Sequence, residues 1–353
     1  MLAGMDRASA LSRLRAEYPC FVYEDYEWEQ DASGRVACAF HFRVGEIEFR
    51  PSCEIDFVGS SPARLLPREV MHNLVFHLGL AELPSYWKAT CSPRVELRAG
   101  SLDAEQTAFW TTLLTDGMGE FHYANQTPFA DPGFVSISSA SQRSHAQFGE
   151  ALEDSPLIPV GGGKDSLVTL DLLGQRDARA AALAINPPPS TQEALRLADI
   201  SERVVVNRRL DSRLLELNRA GFLNGHTPFG AVIAFASALA AVVLGRKPIV
   251  LSNESSSDYS PLLYAGRVIN HQFGKSWSLE AAMQRYFARY LAADLHYFSL
   301  LRPFNELQIA RRFSELRHLH QAFRSCNRGR KSDTWCGACP KCLSTFIILA
   351  PFL

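Results

Sequence analysis

The chain has 353 residues, 47% of them apolar and 21% charged, with a formal net charge of −1. That length buries a sizeable core and accommodates two domains. The near-neutral balance excludes a global basic field for nucleic acid or an anionic membrane. The longest apolar run, around Ala231 to Leu244, falls short of the ~20 residues that span a bilayer. The first residues, Met1 to Arg7, lack the apolar stretch of a signal peptide, so a cytoplasmic protein is expected.

Taken in chain order, residues 1–150 read as a separate, β-rich α+β domain. An aromatic-rich stretch opens at Cys20-Phe21-Val22-Tyr23 and meets a turn at Asp31-Ala32-Ser33-Gly34. Val36 to Val44 and Ile47 to Arg50 then alternate as half-buried antiparallel strands do. Arg68 to Leu78 has helical spacing, and Asp103 is placed to N-cap a helix running to Leu114. No residues here have catalytic spacing. Tyr86-Trp87-Lys88 and Gly119-Glu120-Phe121 are candidate substrate contacts, with packing the plainer reading. Cys20, Cys38, Cys53 and Cys91 are widely spaced and read as free thiols.

Residues 151–353 change pattern. Short apolar runs at Leu157–Val160, Ala181–Ile185, Val204–Val206 and Ile249–Ser252 alternate with helical stretches at Leu167–Gly174, Thr191–Ile200 and Phe229–Leu244. This predicts an α/β fold with a parallel sheet. The loop tips at Asn186–Pro189 and Asn253–Asp258 are expected at the sheet edge where such folds bind ligands.

Between the first of these strands and its helix lie Gly161-Gly162-Gly163-Lys164-Asp165-Ser166. A strand, a glycine turn and a helix aim backbone N–H groups and a positive helix end at one point. Glycines lack a Cβ, so a polyphosphate can come close. Lys164 adds charge, Ser166 a hydroxyl, and Asp165 a carboxylate suited to Mg2+. A glycine-rich turn in an ordinary βα unit is the alternative. The spacing is neither G-x-x-x-x-G-K-[ST] nor G-x-G-x-x-G.

Near the end, Cys326, Cys336, Cys339 and Cys342 form C-x9-C-x2-C-x2-C. Thiolates two residues apart turn onto one ion, and four sulfurs complete a closed Zn2+ site that orders its own segment. An iron–sulfur cluster would use the same ligands. The apolar stretch Ile347–Leu353 has no helix stop signal beyond Pro351 and reads as the end of a short or truncated chain.

Gly162, Gly163, Asp165 and Ser166 match the S-G-G-x-D-S loop of the PP-loop ATP pyrophosphatases, with Gly161 in place of the usual serine. Together with the cysteines, that loop resembles 7-cyano-7-deazaguanine synthase, a shorter enzyme without the first 150 residues. The resemblance extends further to the UDP-N-acetyl-α-D-muramoyl-L-alanyl-L-glutamate epimerases of peptidoglycan biosynthesis. It is carried by Ser85 to Ala89, Gly119 to Phe121, His226 to Phe229, Asn253-Glu254, Asn270-His271-Gln272 and Trp335 to Cys342.

The resemblance implies a PP-loop (adenine nucleotide alpha-hydrolase-like) domain over 151–353, a UDP-muramoyl dipeptide substrate, and ATP with Mg2+. ATP would lie on Gly161, Gly162, Gly163, Lys164, Asp165, Ser166, Asn253 and Glu254, with zinc on the four cysteines. The α-carboxylate of the substrate glutamate would be adenylated before its α-proton is exchanged. His271 and then His226 are the first candidates for that proton, with Lys275 beside them; a satisfied structural histidine is the alternative for each. Lys164 would neutralise charge as pyrophosphate leaves. The rival functions are another carboxylate-adenylating enzyme, such as an amide or nitrile synthase or a tRNA-thiolating enzyme, and a zinc-stabilised nucleotide sensor.

Overall fold

The computed structural model describes residues 6–59, 64–143, 145–174, 177, 179–260 and 262–353. Alternation in Val36–Val44 turns Val36, Cys38, Phe40, Phe42 and Val44 to one buried face, as a half-buried strand requires. The strands are β1 (Cys20–Gln30), β2 (Val36–Val44), β3 (Ile47–Phe49), β4 (Ser52–Val58), β5 (Arg94–Leu97), β6 (Ser136–Ser139) and β7 (Leu157–Pro159). They continue with β8 (Ala181–Ile185), β9 (Glu202–Arg209), β10 (Pro248–Leu251), β11 (Leu262–Tyr264), β12 (Arg267–Ile269) and β13 (His296–Ser299). All but β11 and β12 join one sheet in the order β13-β10-β7-β8-β9-β4-β2-β1-β5-β6, with β3 on β2. Most of its pairings are parallel; β1, β2, β3, β4 and β9 supply the antiparallel ones.

The segments 1–150 and 151–353 therefore meet within one sheet. β4 runs antiparallel to β9 from Ser52 opposite Arg209 to Val58 opposite Arg203. Above this junction Arg208 donates to both carboxylate oxygens of Glu82 at 2.6 Å, and Glu82 is only 3% exposed. Paired charges this deep hold only because both partners are present.

The helices Arg68–Glu82 and Phe229–Leu244 share one core, with Phe76, Phe235 and Leu239 in contact with the buried face of the sheet. Phe229–Leu244 is apolar nearly all round, which suits an element covered on every side. It stops at Gly245, whose φ of 70° is the left-handed C-cap that glycine supplies without strain. Leu167, Leu170, Ile309, Phe313 and Leu349 fill a second core on the opposite face, under the helices Lys164–Gly174, Glu306–Glu315 and Pro340–Leu349. The parallel strands are thus covered on both sides, as their unbroken apolar runs demand. No helix among the described residues is long and apolar enough to cross a membrane.

Most predicted elements are present, several with longer bounds. The first long helix continues to Glu82, the strand at Val204–Val206 extends over Glu202–Arg209, and the helix after the glycines already begins at Lys164. Asp103 caps its helix with a reciprocal Gln106 bond, a full capping box. Missing from the sequence reading are β4, β5, β6, β13, the β11–β12 hairpin and the helices Arg7–Glu17, Ser212–Arg219, Trp277–Tyr286 and Pro340–Leu349. The short strands among these are three to seven residues long and mix polar with apolar residues, so none stands out as an apolar run.

Burial gives this core a pH limit. It pushes the imidazoles of His77 and His122 from 6.5 down to about 3 and about 4. The unfolded chain therefore binds protons that the folded chain refuses. Stability is complete above pH 6.5 and falls as pH drops towards 4, by about 1.4 kcal/mol per pH unit for each histidine. Urea unfolding at a series of pH values checks this; a flat stability between pH 6.5 and 4.5 would contradict it.

Candidate active site

The carboxyl ends of β7, β8 and β10 open into a cleft of about 330 Å³. Gly161, Gly163, Asp165 and Ser166 line it from the glycine loop, Pro188 and Thr191 from the turn after β8, and Ser252 and Asn253 from the turn after β10. Its size lies within the ordinary range for a small-molecule site. The loop needs glycine at one position above all: Gly162 has φ 79°, and a Cβ there would meet Thr191 Oγ1 at 2.4 Å. Gly161 and Gly163 would meet nothing within 4 Å. Their open surface is what a ligand needs for close approach to the backbone. Ser166 Oγ donates to Gly163 O at 3.0 Å, closing the first turn of the helix.

The predicted loop lysine lies elsewhere. Lys164 is buried, with its Nζ 2.6 Å from Asp165 Oδ1 and 3.1 Å from Glu306 Oε1. Burial opposes its charge, but the two carboxylates outweigh that and raise its pKa. Lys275, from the turn Phe273–Lys275, does line the cleft. Protein crowds its ammonium although the side chain still reaches water; that crowding, with Lys341 and Lys164 nearby, lowers its pKa.

Glu254 is buried and does not line the cleft. Its carboxylate accepts from Ser256 N and caps the turn Ser255–Asp258. Asn253 Nδ2 reaches Glu280 Oε2 at 3.5 Å. Glu280, 3% exposed, pairs with Arg302, which also donates to Glu254 O at 3.2 Å and Lys275 O at 2.8 Å. This buried pair fixes both turns, and nothing in the spacing of Glu280 and Arg302 foretells it.

His226 and His271 gather at a neighbouring corner instead of in the cleft. His226 Nδ1 lies 4.0 Å from Glu120 Oε2. Its pKa is lowered by burial, against which Glu120 pulls upward, while His271 and Lys88 push further down. Lys88 donates to Gly225 O at 3.1 Å, and burial with Arg208 brings its ammonium down to about 8. Asn125 holds the same loop through Asn224 O at 3.1 Å. Corner and cleft are joined by the turn after His271: Gly274 packs on Gly230, at the start of the helix whose Ile233 lines the cleft. Lys88 and Glu120, first noted as possible contacts, thus stand beside the two histidines.

The cysteine segment forms the remaining wall. The sulfurs of Cys326, Cys336, Cys339 and Cys342 lie within 4.8 Å of one another. Cys326–Cys339 is 3.9 Å, Cys336–Cys342 3.8 Å and Cys339–Cys342 3.5 Å. A tetrahedral ion with metal–sulfur bonds of about 2.3 Å asks for sulfurs about 3.8 Å apart, so the set fits one ion. The Cys342 N–H donates to Cys339 Sγ and lowers that thiol, while burial and the neighbouring sulfurs raise the thiol of Cys342. Cys326 lines the cleft itself, beside Arg324, Ser325 and Asn327.

Fold and site together define an α/β protein with a glycine-loop cleft at the sheet edge and, in its wall, a cluster of four cysteines that could hold a metal ion. The chain belongs to the MurL family: the MurL N-terminal domain matches residues 12–300 and the MurL C-terminal domain residues 322–353. It is 37% identical over 277 residues to UDP-N-acetyl-alpha-D-muramoyl-L-alanyl-L-glutamate epimerase of Xanthomonas oryzae pv. oryzae, covering 76% of this chain and 60% of that protein. The protein of the same name from a Micromonospora species is 34% identical over 276 residues, with the same coverage. The chain therefore spans about 60% of the length of these curated relatives. Among solved structures, a ketoreductase domain from the bacillaene assembly line aligns at TM-score 0.25 and 12% identity over 67% of this chain and 71% of that one. A likeness that low carries no argument about the fold.

The loop geometry predicts an asymmetry among its glycines. Gly162→Ala should cost about 1–3 kcal/mol, from left-handed backbone strain and the Thr191 contact. Adding Thr191→Ala should restore only the contact part, and Gly161→Ala should cost less than Gly162→Ala. Chemical denaturation decides, and equal losses at 161 and 162 would contradict the loop conformation.

Proposed function

We propose that the chain epimerises the glutamate α-carbon of UDP-MurNAc-L-Ala-L-Glu after ATP has adenylated the α-carboxylate, and that residues 151–353 form a PP-loop domain for that step. The observation that carries this reading is the cleft, which gathers the glycine loop, Asp165 and several cations at the carboxyl ends of parallel strands. The name shared by the curated relatives supplies the substrate.

The chemistry requires activation. Removing an α-proton beside a free carboxylate would place a second negative charge next to the first. A carboxylate oxygen attacks the α-phosphorus of ATP and pyrophosphate leaves. The carbonyl of the resulting mixed anhydride can then accept the electrons of the Cα–H bond. One group takes the proton, another returns one to the opposite face, and water cleaves the anhydride to release AMP. The free N–H groups around Gly161 and Gly163, with Ser166, bind phosphate oxygens. Asp165 is the carboxylate that would hold Mg2+, and such an ion would supply charge neutralisation for the leaving pyrophosphate.

His271 and His226 are the proton-transfer groups of this reading, standing next to the cleft with Lys88 and Glu120. An imidazole can give or take a proton through either ring nitrogen, which suits a transfer needing an acid and a base at once. Zinc in the four-cysteine site is structural, since four protein ligands leave no position for substrate.

The test is the reaction in heavy water. With ATP, AMP and pyrophosphate should form together and deuterium should enter the glutamate α-position. His271→Asn should keep AMP formation while slowing deuterium entry by ~10²–10⁴. Deuterium exchange without ATP, or ADP as the product, would overturn the mechanism.

A further inference from the structure

The cations that face the cleft do not come from the glycine loop. Lys164 is engaged by Asp165 and Glu306 and is buried away from the opening. The cleft is lined by Lys275 and by three cations from the cysteine segment, Arg324, Arg330 and Lys341. Against them stand the carboxylates of Asp165 and Asp333. Asp333 already accepts from Ser190 N at 2.7 Å and from Ser190 Oγ at 2.5 Å, and Asp165 Oδ1 already pairs with Lys164 Nζ at 2.6 Å, so both carboxylates are engaged. Arg330 and Lys341 are exposed, and neither makes an ion pair among the described residues. A hollow with this surplus of uncommitted positive charge suits a polyanion.

The segment that carries them is pinned at its ends and little supported between. Arg324 N donates to Gly162 O at 3.5 Å, and Asp333 clasps Ser190 after β8. Between and beyond these ties, from Asn327 to Ala338, most residues are exposed, and Cys326, Cys339 and Cys342 form a buried cluster of their own beside the exposed Cys336. Ordering such a stretch relies on the ion that the cysteines hold.

We propose that Arg330 and Lys341 neutralise the β- and γ-phosphates of the nucleotide, so that occupancy of the four-cysteine site sets the affinity of the cleft for triphosphate. This assignment rests on the reading of the cleft as the ATP site. It moves the phosphate-neutralising role from Lys164 to a segment that follows it by more than half the domain. Charge-assisted contacts to phosphate are among the stronger hydrogen bonds. They need their donors held in place, and here the metal site does the holding.

Isothermal titration of the full chain with α,β-methylene-ATP and with adenosine, in the presence of Mg2+, tests the assignment. Wild-type protein should carry about one zinc per chain. Arg330→Ala with Lys341→Ala should keep zinc and the thermal melting profile. It should weaken the triphosphate analogue by about tenfold or more per residue and leave adenosine within about threefold. Zinc removal by a chelator, with circular dichroism confirming the remaining fold, should reproduce that selective loss. If the chelated protein unfolds, the double variant still decides. Unchanged triphosphate affinity in the zinc-loaded double variant would overturn the assignment alone. Wild-type protein that binds neither ligand would refute the cleft as an ATP site, and this assignment with it.

Discussion

The antiparallel pairing of β4 with β9 is the constraint on which the rest of the molecule depends. It makes one sheet from two stretches of chain that each carry part of the site. The same junction brings Arg208, near the end of β9, onto the buried Glu82, and so fixes the helix that leads into Lys88. Lys88 then reaches the Gly225 carbonyl next to His226. The pairing of β4 with β9 thus ties Lys88 and Glu120, from the first stretch, to the corner where His226 and His271 stand.

Within that frame, each wall of the cleft has a separate physical cause. The glycine loop is shaped by Gly162, which turns in the one backbone region that spares Thr191. The turns carrying Asn253 and Lys275 are set by the Glu280–Arg302 pair, buried and joined to both backbones. The third wall is the cysteine segment, a stretch too exposed to hold itself and suited to an ion that it surrounds. A cleft assembled this way separates the groups that shape the glycine loop from the cations that line the opening.

Much of this was legible in the residues. Three glycines before Lys-Asp-Ser at the end of an apolar run point to a tight turn between a strand and a helix, and Gly162 makes that turn with a φ of 79°. Four cysteines at short spacing point to a metal. Phe229–Leu244 was found with its bounds intact because a long apolar run ending in glycine has one common reading. The sheet junction was not legible: β4 is a short run mixing polar and apolar residues, and its partner lies far along the chain. Nor was the fate of Lys164, since its capture depends on Glu306 at the start of a distant helix. Arg330 and Lys341 read as ordinary surface charge until the cysteine segment folds over the loop.

The proposed epimerisation depends on attack of the substrate carboxylate itself on ATP. Glutamate labelled with oxygen-18 in its α-carboxylate, within UDP-MurNAc-L-Ala-L-Glu, tests this in one turnover by mass spectrometry of the AMP. Attack by that carboxylate, followed by water at the acyl carbon, predicts one labelled oxygen in the AMP phosphate and one replaced in the epimerised product. Unlabelled AMP would mean that water, and not the carboxylate, had met the α-phosphorus, and would contradict the mechanism.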